Sequence, residues 1–391
     1  MSHTPNDPKC GFCGAGQKEV QKLLKGDALD VYICDGCVFD ASNIMLDLIQ
    51  AESRTPKKGG KNDRYTPKQI MEHLNEFVIG QENAKKLLSI GVYNHYKRIG
   101  KTTKTDLGKS NVLLVGPTGS GKTYIVETIA KLLKVPFASA DATQMTEAGY
   151  VGDDVDTVLV RLIQACDGDI SRAEKGIVYI DEIDKIASRE SRGRDVSGEG
   201  VQQGLLKMLE GSVMTINPSG KKNSQSTNEM INTKDILFIC GGAFSGITDH
   251  TNNKKKVLGF VDQSIEQVKN VPSIRHQDIV KYGMIPEFVG RFPIIAQLNA
   301  LSEDDLVKIL TDPKNSLVKQ YQDMMLLDGV KITFDPAFLQ EVAKRAKEEG
   351  TGARGLRAIM EPALMDIMFT APDGDKDQDE VNVTIDFLVK P

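Results

Sequence analysis

The sequence predicts an α/β protein: a large domain wound on a parallel sheet, a small α-rich domain after it, and a small four-cysteine domain before it. Three observations carry that expectation. Short apolar runs at 111–115, 176–180 and 235–240 alternate with helical patterns, as buried parallel strands alternate with crossover helices. The first run ends in Gly116-Pro-Thr-Gly-Ser-Gly-Lys122-Thr123, a glycine-rich strand-to-helix turn. Cys10-x2-Cys13 and Cys34-x2-Cys37 stand near the N-terminus with metal-ligand spacing.

Composition sets the bounds. The 391 residues suffice for two or three domains at the usual ~150 residues each. Hydrophobic residues make up 40% and charged residues 26%, enough apolar side chains to exclude a disordered chain and to bury an ordinary core. The formal charge of −5 argues against bulk attraction to nucleic acid and leaves a local basic patch open. No stretch approaches the ~18 uninterrupted apolar residues of a membrane span. The start, MSHTPNDPKC, lacks the basic and apolar segments of a secretory leader. A reduced, cytoplasmic location is therefore expected. Of six cysteines, four crowd into the first tenth of the chain, which is no disulfide framework for a protein of this length.

Residues 1–50 are expected to form the cysteine-framed domain. Residues 51–64, AESRTPKKGGKNDR, are expected to be a flexible linker, since they offer almost nothing apolar to bury. The large domain is expected over 65–298. Its first helix follows Thr66-Pro67, with Ile70, Leu74, Phe77 and Val78 at helical spacing. A second helix follows Gln81, and others are expected after Thr123, over 155–166 and over 200–209. Beyond Pro293 the texture turns helical, and 299–391 reads as a small domain. It has helical runs at 302–325, 335–348 and 354–369, the first capped by Ser302 and Asp305, then a β-rich end at 381–389. Lone Cys166 and Cys240 sit in apolar patterns and read as packed core cysteines.

Each C-x2-C pair can place two thiolates on one side of a tight knuckle. Two knuckles complete a tetrahedral S4 site suited to Zn²⁺, with Cys10, Cys13, Cys34 and Cys37 as ligands. Four protein ligands close the site, so its role is structural, and so small a segment needs its metal to fold. With four lysines against seven acidic residues over 1–50, the module is poorly suited to a phosphate backbone; protein binding or self-association is the better expectation.

Gly116, Pro117, Thr118, Gly119, Ser120, Gly121, Lys122 and Thr123 fit G-x-x-x-x-G-K-[ST] between a strand and a helix. Such a loop turns backbone N–H groups onto phosphate oxygens at a helix N-terminus. Lys122 suits the β- and γ-phosphates, and the Thr123 hydroxyl suits Mg²⁺. At the end of the 176–180 strand, Asp181 and Glu182 stand side by side, at the edge where ligands collect in parallel sheets. Asp181 suits Mg²⁺, and Glu182 suits the polarising of an attacking water. Pro286-Glu-Phe-Val-Gly-Arg291-Phe-Pro and Gly352-Ala-Arg354-Gly-Leu-Arg357 carry arginines on short glycine-punctuated segments. An arginine aimed at a γ-phosphate stabilises the charge that spreads during transfer. Glu147-Ala-Gly149-Tyr150-Val151-Gly152 reads either as an apolar grip on a loop or, more simply, as a tyrosine capping a turn.

Together these residues resemble the ClpX family, hexameric AAA+ unfoldases that serve as ATPase subunits of Clp proteases. The resemblance covers nearly the whole chain, and the cysteine module separates it from HslU-type unfoldases, which lack one. It implies an ATP hydrolase, an AAA+ P-loop NTPase with a small C-terminal domain. Such a protein recognises tagged substrates, unfolds them and threads them through a homohexamer pore into a ClpP-type peptidase, with adaptor proteins as further partners. It also implies chaperone activity without the protease. Val78 and Ile79, within Val78-Ile-Gly-Gln81, take the adenine side. Tyr150 and Val151 become the gripping pair of the axial-channel loop, which overrides the turn reading. Arg291 is implied to act in trans on ATP of a neighbouring subunit, and Arg354 to sense nucleotide state. Leu258, Gly259 and Phe260 resemble the tripeptide that docks on ClpP.

Three departures from the family pattern stand out. Lys221-Lys222-Asn223 occupies the pore-entrance segment that usually reads Arg-Lys-His, so charge is kept and the histidine is gone. Gly204 lies in a helical stretch where alanine is expected. Cys240-Gly-Gly ends a strand where a polar sensor is expected, and no sensing role is assigned there. Two other functions compete. A nucleic-acid remodelling ATPase is disfavoured by the acidic module and the aromatic channel loop. A stand-alone chaperone is disfavoured by Leu258-Gly-Phe260.

Overall fold

The computed structural model describes residues 8–25, 31–42, 65–100, 105, 107–146, 153–188, 198–216, 229–247, 274–371 and 380–388. The chain divides into two compact units, Met1–Arg64 and Tyr65–Pro391.

In the first unit β1 (Leu23–Lys25) and β2 (Tyr32–Cys34) pair antiparallel. Residues 35–42 are helical. Little apolar surface is buried here. Among the described residues of this unit only Cys10 and Cys34 are buried hydrophobics, while Phe12, Leu24, Val31 and Phe39 are exposed.

The second unit is organised on a five-stranded parallel sheet. Its strands are β3 (Val112–Val115), β4 (Phe137–Asp141), β5 (Ile177–Asp181), β6 (Leu237–Gly242) and β7 (Ile294–Gln297). They lie in the order β7-β3-β6-β5-β4. Successive side chains of a strand face opposite sides, and the three central strands divide accordingly. Val112, Leu114, Ile177, Tyr179, Leu237 and Ile239 enter one core, shared with helices Pro67–Phe77, Glu82–Ile99 and Lys122–Leu133. Leu113, Val115, Val178, Ile180, Phe238 and Cys240 enter the other, shared with helices Thr157–Gln164 and Glu199–Glu210. Burial on both faces is why these strands read as unbroken apolar runs. Cys166 and Cys240 are buried in this second core, as expected.

A third core lies C-terminal to the sheet. It gathers Leu306, Leu310, Phe338, Val342, Leu356, Met360 and Leu364 from helices Glu303–Thr311, Pro336–Glu348 and Ala353–Thr370, with Tyr321 and Met325 from Leu317–Leu327. β8 (Lys331–Phe334) and β9 (Glu380–Val383) pair in parallel beside it. The Ser302–Asp305 capping box is present, and so is one at Thr66–Gln69 ahead of Pro67. Among the described residues, no helix is long and apolar enough to cross a membrane.

Local readings needed correction in three places. The expected helix over 302–325 is two helices, Glu303–Thr311 and Leu317–Leu327, broken at Pro313, which lacks the N–H that would continue the first. The expected β-rich end is a four-residue strand followed by a 3-10 turn, Ile385–Leu388. Edge strands β4 and β7 went unrecognised. Each pairs with only one neighbour and has residues that are only half-buried, so each lacks a continuous apolar run. Gly204 has a packing reason: a Cβ there would lie 3.1 Å from Val155 Cγ2.

Candidate functional site

The four cysteines of the first unit converge. The sulfurs of Cys10, Cys13, Cys34 and Cys37 all lie within 4.8 Å of one another. Tetrahedral Zn–S bonds of ~2.3 Å place sulfurs roughly 3.8 Å apart, so the cluster matches a zinc cage. Backbone N–H groups already point at sulfur: Cys34 N donates to Cys10 Sγ at 3.3 Å and Cys37 N to Cys34 Sγ at 3.4 Å. The Cys10 thiol is drawn down to about 6, first by the Cys13 backbone N–H and against the effect of burial. Cys37 is pushed up, chiefly by sharing a hydrogen bond with the Cys34 sulfur. Four sulfurs this close cannot all ionise beside one another, and a dication supplies the missing charge.

The second site is a cavity of about 540 Å³ above the C-terminal edge of the sheet. That volume is in the range of nucleotide-sized pockets. One end is lined by Thr118 to Thr123, Asp181, Glu182 and Asp184. The other is apolar, with Phe77, Val78, Ile79, Leu301, Ile309, Pro313 and Leu317. Arg354 and Arg357 close it from the helix Ala353–Thr370.

The phosphate end is held by a chain of hydrogen bonds. Gly116 N donates to Gly242 O at 3.1 Å, which ties the loop to β6. Lys122 Nζ donates to Gly116 O at 2.8 Å and Pro117 O at 3.1 Å. Burial pulls its ammonium below the ordinary value, with Asp181 and Asp184 opposing. The Thr123 hydroxyl donates to Asp181 Oδ2 at 3.0 Å, so the two groups assigned to Mg²⁺ are already adjacent. Asp181 Oδ1 accepts from the Tyr179 hydroxyl at 3.0 Å and from Glu182 N at 2.9 Å. Burial, and then the Asp181 charge, keep the Tyr179 phenol protonated, so it remains a donor. Asp184 is buried and accepts from Ala243 N at 2.9 Å.

Tyr179 also explains the glycines after Cys240. A Cβ at Gly241 would collide with the Tyr179 hydroxyl, and one at Gly242 would lie 2.8 Å from Asp184 Oδ1. The strand end is bare because Tyr179, Asp184 and the Phe244 ring occupy that space.

The C-terminal core meets the loop directly. Gly119 has φ +76°, and a Cβ there would lie 2.5 Å from Thr351 O. Ala353 N donates to Gly119 O at 3.4 Å. Gly119→Ala is therefore expected to push loop and C-terminal core apart and to weaken ATP binding by about tenfold, the equivalent of ~1–2 kcal/mol of strain. Competition with a fluorescent nucleotide measures it, and unchanged affinity would refute the contact's importance. At the apolar end, Gln81 Nε2 donates to Asn299 O at 2.9 Å and Asn299 N to Gln81 Oε1 at 2.8 Å. This reciprocal pair clamps the Val78-Ile79 segment to the chain that leaves the sheet.

Arg291 does not line this cavity. It is exposed and ion-paired with Glu210, while its carbonyl accepts from Asn111 Nδ2 at 3.2 Å. Tyr150, Val151, Lys221, Lys222, Leu258, Gly259 and Phe260 lie outside the described residues, as does the expected linker. Sequence reasoning passed over Tyr179, Asp184 and Asn299, and named Gln81 and Arg357 only as members of their motifs, without a role of their own. Asp184 stands three residues after Asp181, a spacing that carried a usable signal; Tyr179 and Asn299 had none.

Fold and site together define an ATPase of the AAA class. A model of the AAA domain (Cdc48 subfamily) matches residues 108–295, and a model of the C-terminal, D2-small domain of ClpB protein matches 301–384. The ClpX C4-type zinc finger matches 8–47. The chain is 43% identical to the ATP-dependent Clp protease ATP-binding subunit ClpX of Porphyromonas gingivalis, with all of both chains covered. It is 47% identical to the subunit of the same name from Borrelia duttonii, over 97% of this chain and 90% of the relative. The chain belongs to the ClpX family.

Proposed function

We propose that this protein is the ATP-driven unfoldase of a two-component protease. In this reading it captures tagged or adaptor-delivered proteins, unfolds them and threads them through a homohexamer pore into a ClpP-type peptidase, and it remodels proteins as a chaperone without the peptidase. It works in the cytoplasm. One observation carries the coupling: the cavity is closed by two separate cores, with Gly119 packed on Thr351 and Arg354 entering from the C-terminal helix. A nucleotide that touches both cores has different contacts before and after hydrolysis, so turnover can shift the 299–391 domain against the 65–298 domain.

In this reading the residues that line the cavity act on the nucleotide, and the roles of the others come from the family resemblance. Lys122 and the loop amides hold the phosphates, while Val78 and Ile79 hold the base. Thr123 and Asp181 hold Mg²⁺, which neutralises charge on the phosphoryl group when bound. Glu182 orients the attacking water. Arg354 reports the γ-phosphate to the C-terminal domain. Arg291, exposed and outside its own chain's cavity, suits a role on the neighbour's ATP. Tyr150 and Val151 grip the polypeptide, Lys221 and Lys222 draw it to the pore, and Leu258–Phe260 dock the peptidase. The zinc module, acidic and with Phe12, Leu24, Val31 and Phe39 exposed, suits protein partners better than nucleic acid.

The test is ATP-dependent degradation of a stable tagged protein, with and without a ClpP-type peptidase. Degradation that needs ATP, the peptidase and this chain is the expected result. ATPase stimulation by single-stranded DNA with a steep salt slope, and no degradation, would favour a nucleic-acid remodeller instead.

A further inference from the structure

Among the described residues, two buried hydroxyls of residues lining the nucleotide cavity lack a hydrogen-bond partner: Ser120 Oγ and Ser316 Oγ. Ser120 belongs to the phosphate loop. Ser316 is 2% exposed and follows Pro313, beside the apolar end formed by Leu301, Ile309 and Leu317.

Its position makes the unused hydroxyl unusual. Ser316 is the N-cap of helix Leu317–Leu327, where a serine side chain ordinarily accepts from the first-turn amides. Here it forms no such bond. Its backbone is fully engaged, with Ser316 N donating to Pro313 O at 3.1 Å and Ser316 O accepting from Gln320 N at 3.0 Å. The neighbouring amides are also taken. Asn315 pairs with the Tyr124 hydroxyl, and Gln320 accepts from Arg357 at 2.7 Å while donating to Asn315 O at 2.6 Å. A buried hydroxyl left unpaired is disfavoured; the oxygen is closed off from the cavity as it stands, and a turn about χ1 would bring it to a bound ligand.

We propose that the Ser316 hydroxyl is a specificity-determining contact to the nucleoside part of the bound nucleotide, by a hydrogen bond to the ribose or to the edge of the purine. The inference rests on the nucleotide reading of this cavity and assigns recognition at its non-phosphate end. The ligand's own polar groups select between the two sources: removal of the 2′-hydroxyl tests the ribose, and replacement of the adenine amino group by oxygen tests the base edge.

The experiment measures affinity of the full chain for ATP, 2′-deoxy-ATP and inosine triphosphate, in the wild type, Ser316→Ala and Ser316→Gly. Glycine is a competent N-cap without a hydroxyl, so it separates recognition from folding. Both variants are expected to bind ATP roughly five- to tenfold more weakly. The wild type's preference for ATP over one analogue should disappear: over deoxy-ATP if the ribose is the partner, over inosine triphosphate if the base is. Thermal unfolding without nucleotide should be unchanged in Ser316→Gly, since no cap bond is lost. Wild-type affinity for all three ligands in both variants overturns the proposal, and so does equal weakening for all three. A Lys122→Ala control separates the readings. If the wild type binds ATP no better than that control, the nucleotide site itself is misassigned; if it binds better and Ser316→Gly is unchanged, only the Ser316 contact falls.

Discussion

Glu182→Gln is expected to lower ATP turnover by roughly 10²- to 10⁴-fold while ATP binding survives. The residue follows the last position of β5 and lines the cavity beside Asp181. Its backbone sits at φ 55°, a left-handed conformation that disfavours a side chain by about 1–2 kcal/mol. The strain is held by Glu182 N donating back to Asp181 Oδ1 at 2.9 Å. Glutamine keeps the shape and loses the capacity to draw a proton from water. Phosphate release measures turnover and nucleotide competition measures binding. The variant should trap substrate protein without degrading it. Turnover above about a tenth of wild type would remove Glu182 from the chemistry. Glu182→Gly adds a second arm: it relieves the positive φ, so thermal stability should hold or rise while turnover is still lost.

Removing zinc is expected to unfold the first unit and leave the second intact. The first unit has almost no apolar core among its described residues, with only the sulfur-bearing Cys10 and Cys34 buried. Its fold therefore depends on the metal, whose binding in such modules is worth about 10–16 kcal/mol. Hydrogen exchange on the full chain gives the measurement. On chelation, or in Cys34→Ser, residues 8–42 should lose protection by roughly three orders of magnitude or more, while β3 and β6 keep theirs. Persistent protection of β1 and β2 without metal would show that the hairpin folds by itself. Degradation of proteins delivered through the zinc module should fall, and ATP turnover should not.

Both sites were legible where their residues are close in sequence. The cysteine cage was legible because all four ligands lie within 28 residues and each pair is fixed by a local turn. The phosphate loop and the Asp181-Glu182 strand end were legible for the same reason: each motif is a local piece of backbone with its own chemistry. Strands β3, β5 and β6 announced themselves because both faces are buried. The edge strands did not, since a strand with one free edge needs fewer apolar residues. The single helix expected over 302–325 failed at Pro313, a breaker that the apolar periodicity on either side concealed.

By itself the sequence determined which chemistry this protein carries: a thiolate cage, a phosphate loop, a carboxylate pair, and arginines placed downstream. Tertiary structure decided how one cavity is assembled from them. Gln81 and Asn299 bond across 218 positions, Gly119 meets Thr351, Tyr179 stands where Gly241 leaves room, and the Ser316 hydroxyl is left unpaired at the cavity's far end. None of these has a local pattern. Tyr179 and Gly241 meet because their strands are neighbours in the sheet, and Gly119 meets Thr351 because the C-terminal core packs on the phosphate loop; that packing is set by apolar burial over the whole second unit.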